Sequence, residues 1–422
     1  MSPDDVIRPE LAGELAHIGQ TDILIGIPSY NNARTIAHVV RAVSAGLAKY
    51  YPDRACLLVN SDGGSNDGTP QLVLDTETGD LPTLLVAHRS RPFHRVATSY
   101  VGLPGKGSAF RTIFRIAELV KAKACAVVDS DLRSITPEWV ELLIEPVLGQ
   151  GMDYVSPLYA RHKYDGTITN SIVYPLTRAL YGQRVRQPIG GDFGFSGPFA
   201  IRLLADAAWD TDIARYGIDI WMTSMALAND FRVCQSYLGA KIHDAKDPGS
   251  DLSAMFTQVV GTVFDQMETY HHVWKDVSGS ADVPTFGFRY TVGVEPVGVN
   301  TERMIVLFRQ GVADLMSVLE RMLSAETCEA LRVAAERPAE QFDFPPELWV
   351  RVVYESAASY HHHTLPRDHL LKAMIPLYLG RTAAFVLQTP ASTGDEVEDE
   401  IERLCGLFES TKPYLQERWR AR

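Results

Sequence analysis

The chain has 422 residues, of which 46% are hydrophobic and 22% charged, and its formal net charge at pH 7 is −12. The length allows two domains, or one large domain with an added layer, and the composition is that of an ordinary globular protein. The negative charge argues against nucleic-acid binding, which needs a basic surface.

The five cysteines have no Cys-x-x-Cys spacing, which indicates reduced, mostly buried thiols in a cytoplasmic protein. The first residues lack a basic segment followed by an apolar core, so we expect no secretion signal. We also find no apolar run of about 18 residues and therefore expect no membrane span.

The first 130 residues alternate between predicted strands and helices. Continuous apolar runs predict buried strands at 22–27, 55–60, 83–87 and 124–128. Helical spacing predicts helices over 35–48 and 108–121, and the interval between the third strand and the second helix is predicted to be a loop. This alternation indicates an α/β fold with a mostly parallel sheet and helices on both faces. Ligands of such sheets bind beyond the carboxyl ends of the strands.

The pattern changes to loops and glycine clusters after residue 150, and we expect this part to bind a second substrate. Helical spacing dominates later, with helices predicted over 255–270, 301–323, 347–360 and 369–387. We therefore divide the chain into a domain of residues 1–250 and a mainly helical domain of residues 251–422. Exposed apolar stripes on the later helices would permit a homodimer.

Two carboxylates, Asp129 and Asp131, follow the predicted strand at 124–128. Residues i and i+2 of an extended backbone point to the same side, so both carboxylates would face one point. Two negative charges held so close repel each other, and proteins usually relieve that repulsion by binding a hard divalent cation between them. The alternative is a surface turn whose aspartates cap the next helix.

Three further segments are candidates for ligand binding. Gly105-Lys106-Gly107 opens a helix and could bind an anion, although it is not a Walker P-loop and could be only a tight turn. Asp62 begins a glycine-rich loop and could bind a nucleobase or ribose, or form an Asx turn. His243 could be a metal ligand or a structural histidine. We discount His361-His362-His363 as a metal site, because adjacent helical residues do not converge.

In their order along the chain, these motifs resemble those of GT-A glycosyltransferases that use nucleotide sugars. More narrowly, the chain resembles the retaining enzymes that make mannosylglycerate, glucosylglycerate and glucosyl-3-phosphoglycerate. The segments that carry this resemblance include Pro28-Ser29-Tyr30-Asn31, Pro104-Gly105-Lys106-Gly107, Asp129-Ser130-Asp131-Leu132, Gln187-Pro188-Ile189-Gly190-Gly191-Asp192, Tyr216-Gly217-Ile218-Asp219 and Gly239-Ala240-Lys241-Ile242-His243. The match is good over about residues 20–250 and looser in the helical tail.

The resemblance implies a role for each matching residue. Asp131 and His243 would ligate Mg²⁺ or Mn²⁺, and Asp219 and Asp192 would be catalytic residues near the reactive sugar carbon. The implied donor-binding residues are Pro28, Tyr30, Asn32, Asp62, Lys106, Asp129, Gly190 and Gly191. The implied acceptor-binding residues are Arg161, Asp165, Thr167 and Thr169.

The implied reaction moves glucose or mannose from a nucleoside diphosphate sugar to D-glycerate and forms a compatible solute. We favour a GDP-sugar as donor, with UDP- and ADP-sugars as alternatives. The 3-phosphoglycerate enzymes have an arginine where this chain has Thr167, and loss of that cation weakens phosphate recognition. D-Glycerate is therefore the favoured acceptor, with 3-phosphoglycerate as the alternative.

Two alternatives to this function and two mechanisms are left open by the sequence. A sugar nucleotidyltransferase normally has a glycine-rich loop after its first strand, which is missing here, and a non-catalytic nucleotide-sugar-binding protein is the other alternative. Double displacement requires a carboxylate below the sugar C1, for which Asp192 and Asp219 are the candidates. The resemblance implies front-face attack instead.

Overall fold

The structure is a computed structural model that describes residues 6–76, 91–206, 208–242, 252–289, 293 and 295–421. The chain forms two compact units. The first unit consists of Met1–Arg161, Ile189–Asp244 and Val283–Val294, and the second of His162–Pro188, Ala245–Asp282 and Glu295–Arg422. This division differs from the predicted boundary at residue 250, because residues 162–188 group with the helical unit and residues 283–294 with the other.

Eight strands of the first unit form one sheet. The described strands are β1 (Ile23–Ser29), β2 (Cys56–Asp62), β3 (Phe93–Ser99), β4 (Ala124–Val127), β5 (Tyr154–Ala160), β6 (Gln183–Arg184), β7 (Phe193–Ser196), β8 (Val233–Ala240), β9 (Ala281–Asp282) and β10 (Thr285–Phe286). The sheet order is β10-β8-β5-β7-β4-β1-β2-β3, and only β7 is antiparallel to its neighbours. Strands β6 and β9 pair within the second unit. The predicted mostly parallel sheet is confirmed.

The helices occur in both units. Those described are α1 (Pro9–Ile18), α2 (Ile36–Tyr50), α3 (Thr69–Asp75), α4 (Lys106–Leu119), α5 (Pro137–Leu148), α6 (Tyr174–Tyr181), α7 (Gly197–Leu204), α8 (Ile218–Ala228), α9 (Ser253–Thr269), α10 (His271–Trp274), α11 (Thr301–Met322), α12 (Ala325–Glu336), α13 (Pro346–His361), α14 (Arg367–Gln388) and α15 (Gly394–Arg420). The four helices predicted after residue 250 are confirmed as α9, α11, α13 and α14.

The central strands are buried on both faces of the sheet, which explains their continuous apolar sequences. Every residue of β1 and β2 is buried. Ile25 belongs to a core that also contains residues of α2 and α5. The next residue, Gly26, faces α4 so closely that a Cβ atom would lie 2.6 Å from Ile113. Helices therefore cover both faces, and the carboxyl ends of the parallel strands are left for the site.

One loop prediction is wrong, and one predicted strand lies outside the described residues. The segment Phe93–Ser99, which we predicted to be part of a loop, is strand β3 at the edge of the sheet. Only Val96 of this strand is buried, so the sequence lacks the apolar run that marks the central strands. The predicted strand at 83–87 falls outside the described residues.

The second unit is built mainly from helices packed at close range. Helices α11 and α14 approach so closely that a Cβ atom on Gly311 would lie 2.3 Å from the Pro376 side chain. Helix α6 is entirely buried, and Arg178 within it forms ion pairs with Glu402 and Glu409 of α15. Small residues and buried ion pairs therefore hold this unit together.

Helix α14 is an exception to the expectation that no apolar run reaches the length of a membrane span. By length and composition it could cross a membrane, but 67% of its apolar window is buried inside the structure. The core helix of a globular protein meets the same criterion. None of the five cysteines forms a disulfide bond, and all five are buried, as predicted.

Candidate functional site

The loops that follow β1, β2 and β4 are joined by hydrogen bonds at one edge of the sheet. The Asn32 Oδ1 atom accepts a 2.8 Å bond from the Ser130 hydroxyl, and the Asn32 amide donates to Thr69 Oγ1 at 2.9 Å. Thr35 Oγ1 also donates to the Ser130 carbonyl at 2.7 Å. The polar segments after these strands therefore meet, as expected for parallel strands.

Asp62 shapes the loop after β2. Its two carboxylate oxygens accept bonds of 2.7–2.8 Å from the Ser29 hydroxyl, the Gly64 and Ser65 amides and the Ser65 hydroxyl. This is the Asx-type turn that the sequence left as an alternative, and the donor-binding role of Asp62 stays a prediction. Pro28 is buried in β1, whereas the neighbouring Tyr30 is 63% exposed at the same edge.

The glycines around Lys106 are required by close packing at the start of α4. A Cβ atom on Gly107 would lie 1.8 Å from the Ile213 carbonyl oxygen, and one on Gly105 would lie 2.4 Å from the Ala214 carbonyl oxygen. Only glycine fits such approaches to backbone atoms. The two interpretations of this segment, a tight turn and an anion-binding site, are therefore compatible. The glycines permit the close packing that holds Lys106 at the start of α4.

Lys106 belongs to a buried group of charges that we call the lysine–aspartate cluster. Its members are Lys106, Asp129, Asp192, Asp219 and Lys241. The Lys106 Nζ atom lies 2.8 Å from Asp129 Oδ1 and 3.4 Å from the Asp219 carboxylate. The Lys241 Nζ atom lies 2.8 Å from Asp129 Oδ2 and 2.7 Å from Asp192 Oδ2. Three carboxylates and two ammonium groups leave the cluster with a formal charge of −1.

Backbone groups of the glycine pair next to Asp192 complete the cluster. Lys241 donates to the Gly190 carbonyl at 2.8 Å, and Lys106 donates to the Gly191 carbonyl at 3.2 Å. Gly191 has a φ of +92°, and a Cβ atom there would lie 2.3 Å from Asp129 Oδ2. This backbone must therefore be glycine if the two lysines are to reach their partners.

Asp192 is unsuited to react with a substrate in this conformation. Its side chain is 0% exposed and accepts bonds from the Asp129 amide at 2.7 Å, from Lys241 and from the Tyr159 hydroxyl. Asp192 therefore positions the cluster, and its predicted catalytic role has no support from this geometry. Lys241 and Tyr159 have no role among those predicted from the sequence, although Lys241 lies in a motif that carries the resemblance.

Asp219 differs from the other carboxylates of the cluster in that one of its oxygens, Oδ1, lies 3.4 Å from the Lys106 Nζ atom without accepting a hydrogen bond from it, while Lys106 donates to Oδ2. Asp219 is buried, and its Oδ1 atom accepts no hydrogen bond from the described residues. Burial raises the pKa of Asp219, and Lys106 only partly opposes this effect. Burial would also raise the pKa of Asp129, but Lys106 and Lys241 outweigh it and hold that pKa well below its usual value. A buried acceptor of this kind suits a ligand hydroxyl.

We expect Asp219→Asn to stabilise the protein at neutral pH by about 1 kcal/mol, because a poorly compensated buried charge is removed. Asp219 has a raised pKa, so between its unfolded and folded pKa values the folded protein binds more protons than the unfolded chain. Stability from this group is thus lost as pH rises. The stability advantage of Asp219→Asn over the wild type should therefore shrink as the pH falls through the pKa of Asp219 in the folded protein. Thermal unfolding of both proteins from pH 8 to pH 4 measures this, and a variant less stable at pH 8 would contradict it.

The predicted metal ligands are only partly described. His243 lies outside the described residues, and Asp131 lies half-buried in the turn after β4. Within the described ranges, no three histidine, cysteine or acidic side chains converge on a possible metal site. Asp129 is engaged by both lysines. Because Mg²⁺ commonly binds one or two carboxylates together with substrate phosphates, Asp131 fits such a site.

The predicted acceptor-binding residues are divided between the two units. Arg161 belongs to the first unit, where it donates to the Gly190 carbonyl at 3.4 Å and lies 5.1 Å from the Tyr159 ring centroid. Asp165, Thr167 and Thr169 belong to the second unit. Thr167 is buried there, with its Oγ1 atom 2.6 Å from the Tyr378 hydroxyl. Their role in acceptor binding stays a prediction.

Comparisons with known proteins found similar chains among solved structures. No protein-family model matches the chain, and no curated protein matches it. A glucosyl-3-phosphoglycerate synthase from Mycobacterium tuberculosis, solved with Mn²⁺, UDP and phosphoglyceric acid, is 22% identical, with a TM-score of 0.42 and coverage of 60% of this chain and 82% of that chain. The same enzyme with glucosyl-3-phosphoglycerate, UDP and Mn²⁺ is 23% identical, with a TM-score of 0.42 and coverage of 62% and 85%.

Proposed function

We propose that the protein is a metal-dependent retaining glycosyltransferase that moves glucose or mannose from a nucleoside diphosphate sugar to D-glycerate. The observation that carries this proposal is the lysine–aspartate cluster beside the carboxyl ends of the parallel strands. There, the Asp219 Oδ1 atom, which accepts no hydrogen bond from the described residues, lies 3.4 Å from the Lys106 Nζ atom. A hydrogen-bond acceptor for a sugar hydroxyl thus lies beside a lysine, and because the cluster carries a formal charge of −1, binding of the diphosphate would also need the divalent metal.

The residues of the chain would divide the work of donor binding. Lys106 lies at the first turn of α4, where the helix dipole and free amide groups favour a negatively charged ligand. Asp219 would orient the sugar through a hydroxyl near the reactive carbon. Asp131 and His243 would hold Mg²⁺ or Mn²⁺, which would neutralise charge on the leaving diphosphate. Lys241 and Asp192 would position Asp129 and the glycine pair.

The geometry also limits the mechanism. A double displacement needs a carboxylate that can reach the sugar C1, and the fully buried Asp192 has its oxygens occupied by hydrogen bonds. Asp219 would have to be the nucleophile in that mechanism. Front-face attack needs no such nucleophile and agrees with Asp219 as a sugar-binding residue.

The test is donor binding measured by thermal unfolding. GDP-mannose, GDP-glucose, UDP-glucose and ADP-glucose are each added with Mn²⁺ to the wild type and to Asp131→Ala. A true donor at about 100 times its Kd should stabilise the fold by about 2.7 kcal/mol. We expect one donor to raise the Tm of the wild type, and chelation of the metal or Asp131→Ala to remove most of that rise.

The control Asp53→Ala removes the same charge from an exposed position just before the amino end of β2 and should leave the donor effect unchanged. The acceptor is then identified by mass spectrometry of products from glycerate and 3-phosphoglycerate. If none of the donors raised the Tm in the presence of Mn²⁺, the glycosyltransferase proposal would be wrong.

A further inference from the structure

A small cleft lies entirely within the second unit. Its volume is about 20 Å³, which exceeds the ~10–15 Å³ that one water molecule requires. Its lining residues are Thr167, Asn170, Ser171, Arg381, Thr382, Phe385, Glu400, Ile401 and Leu404. The cleft therefore has room for a group of only a few atoms, and its lining combines apolar side chains with a few polar groups.

Arg381 is a buried cation in this cleft that forms no ion pair with the residues that the structure describes. Its residue surface is 3% exposed, and its one hydrogen bond to the described residues is donated by Nη1 to the Phe344 carbonyl at 3.1 Å. No carboxylate of the described residues forms an ion pair with it. A guanidinium group has five N–H donors, and buried arginines are normally paired. Burial accordingly lowers the pKa of Arg381 to about 10.

Two of the three acidic side chains that attract Arg381, Asp343 and Glu400, are bonded to other partners. Glu400, Asp343 and Glu347 act on Arg381 through longer-range attraction. Asp343 is bonded to Arg337 at 3.1 Å and to Gln388 at 2.9 Å. Glu400, which lines the cleft, accepts a 2.9 Å bond from Arg403 Nε. The positive charge of Arg381 is therefore only weakly compensated from within the unit.

The other polar groups of the cleft differ in what they can donate. The Ser171 hydroxyl donates to the Thr167 carbonyl at 2.7 Å, and the Thr382 hydroxyl donates to the Tyr378 carbonyl at 2.9 Å. The Asn170 amide has one long bond of 3.4 Å to the Asp165 carbonyl. Arg381 and Asn170 are therefore the lining side chains with N–H groups to offer a ligand.

We propose that this cleft binds a small oxyanion, a carboxylate or phosphate group, through the Arg381 guanidinium with Asn170 as a second donor. A planar guanidinium binds either group through paired N–H···O bonds. The proposal does not depend on donor binding by the first unit, because every lining residue belongs to the second unit, and it shares only Thr167 with the predicted acceptor-binding residues. Glycerate is one natural probe, since Thr167 was assigned to glycerate from the sequence.

The experiment measures binding to the full chain without nucleotide sugar or divalent metal. D-Glycerate and inorganic phosphate are titrated by calorimetry at constant ionic strength, so that the two arms distinguish carboxylate from phosphate. We expect saturable binding of at least one of them. If neither D-glycerate nor phosphate bound, the proposal would be overturned. The positive charge of Arg381 would then be stabilised by water between Arg381 and Glu400.

Variants that change the charge of the cleft test whether the anion binds there, because each variant has a predicted direction of change in affinity. Asn170→Asp adds a negative charge to the cleft and should weaken binding by about ten-fold, whereas Glu400→Gln removes one and should strengthen it by roughly three-fold. Asp399→Asn makes the same charge change at an exposed neighbour outside the cleft and should alter affinity less than two-fold, by about the amount expected of a screened surface charge.

Arg381→Met should abolish binding, and the conclusion stands on the other variants if this protein does not fold. Equal affinities in Asn170→Asp and Glu400→Gln, or changes of the same sign in both, would show that the anion binds elsewhere. Either result would overturn the proposal.

Discussion

Lys241→Met is expected to lower the free energy of unfolding by about 3–5 kcal/mol and to abolish sugar transfer. Lys241 lies 2.8 Å from Asp129 and 2.7 Å from Asp192, and all three are largely shielded from water. Removing the ammonium group leaves the fully buried Asp192 carboxylate without its ionic partner and takes one of two lysines from the partly exposed Asp129, and breaking a buried ion pair in this way typically costs about 3–5 kcal/mol. Urea unfolding measures the loss of stability.

The matched control is Lys123→Met, which breaks the 2.8 Å ion pair with Asp22 at a position where the lysine side chain is 53% exposed. Exposed pairs contribute only about 0–1 kcal/mol, so this variant should be close to the wild type. Adding Asp192→Asn to Lys241→Met should restore part of the lost stability, because one unpaired charge is then neutralised. Equal losses in the two lysine variants would show that the cluster is not a buried electrostatic unit.

Gly107→Ala is the second change with a large expected effect. The new Cβ atom would lie 1.8 Å from the Ile213 carbonyl oxygen and 2.8 Å from backbone atoms of Ala214. Backbone atoms cannot move aside as a flexible side chain can, so α4 must shift away from residues 213–214. We expect a loss of about 3 kcal/mol or more, measured by urea unfolding.

The shift of α4 would also move Lys106 from Asp129, so donor binding should fall even under conditions where the variant stays folded. Gly13→Ala is the control, because Gly13 lies in α1 with nothing within 4 Å of the new Cβ atom. Alanine is the better helix former, and this change should stabilise the protein by about 0.5–1 kcal/mol. A Gly107→Ala protein as stable as the wild type would refute the packing argument.

The layout of the sheet could be predicted because its central strands are buried on both sides. Strands β1 and β2 consist of buried residues throughout and are therefore marked by continuous apolar runs. Strand β3 lies at the sheet edge with one buried residue, Val96, and carries no such mark. Residues 162–188 group with the helical unit rather than with the preceding strands, and their own sequence pattern does not indicate this, because the grouping depends on contacts with helices that are distant in the chain.

Only some residues of the lysine–aspartate cluster could be predicted from the sequence. Asp129 was found because it directly follows an apolar strand, and Lys241 follows β8 in the same way. Strand β8 contains Gln235 and Ser236 and therefore lacks the continuous apolar run that marks the strand before Asp129. Tyr159 lies within β5 and offers no comparable signal, since its contact with Asp192 depends on strand pairing. Arg381 lies in the apolar helix α14, and only the packing of that helix leaves it without an ion pair to the described residues.

The assignment of residues 162–188 to the helical unit has a consequence for biosynthesis. Helix α6 is buried over its whole length, yet Tyr174 within it bonds to Glu402, which lies 228 positions later in the chain. At translation rates of about 5–20 residues per second, a ribosome takes roughly 10–45 s to cover that distance. During this interval the nascent helix lacks the surface that later encloses it, so we expect the growing chain to need chaperone protection until α15 has emerged.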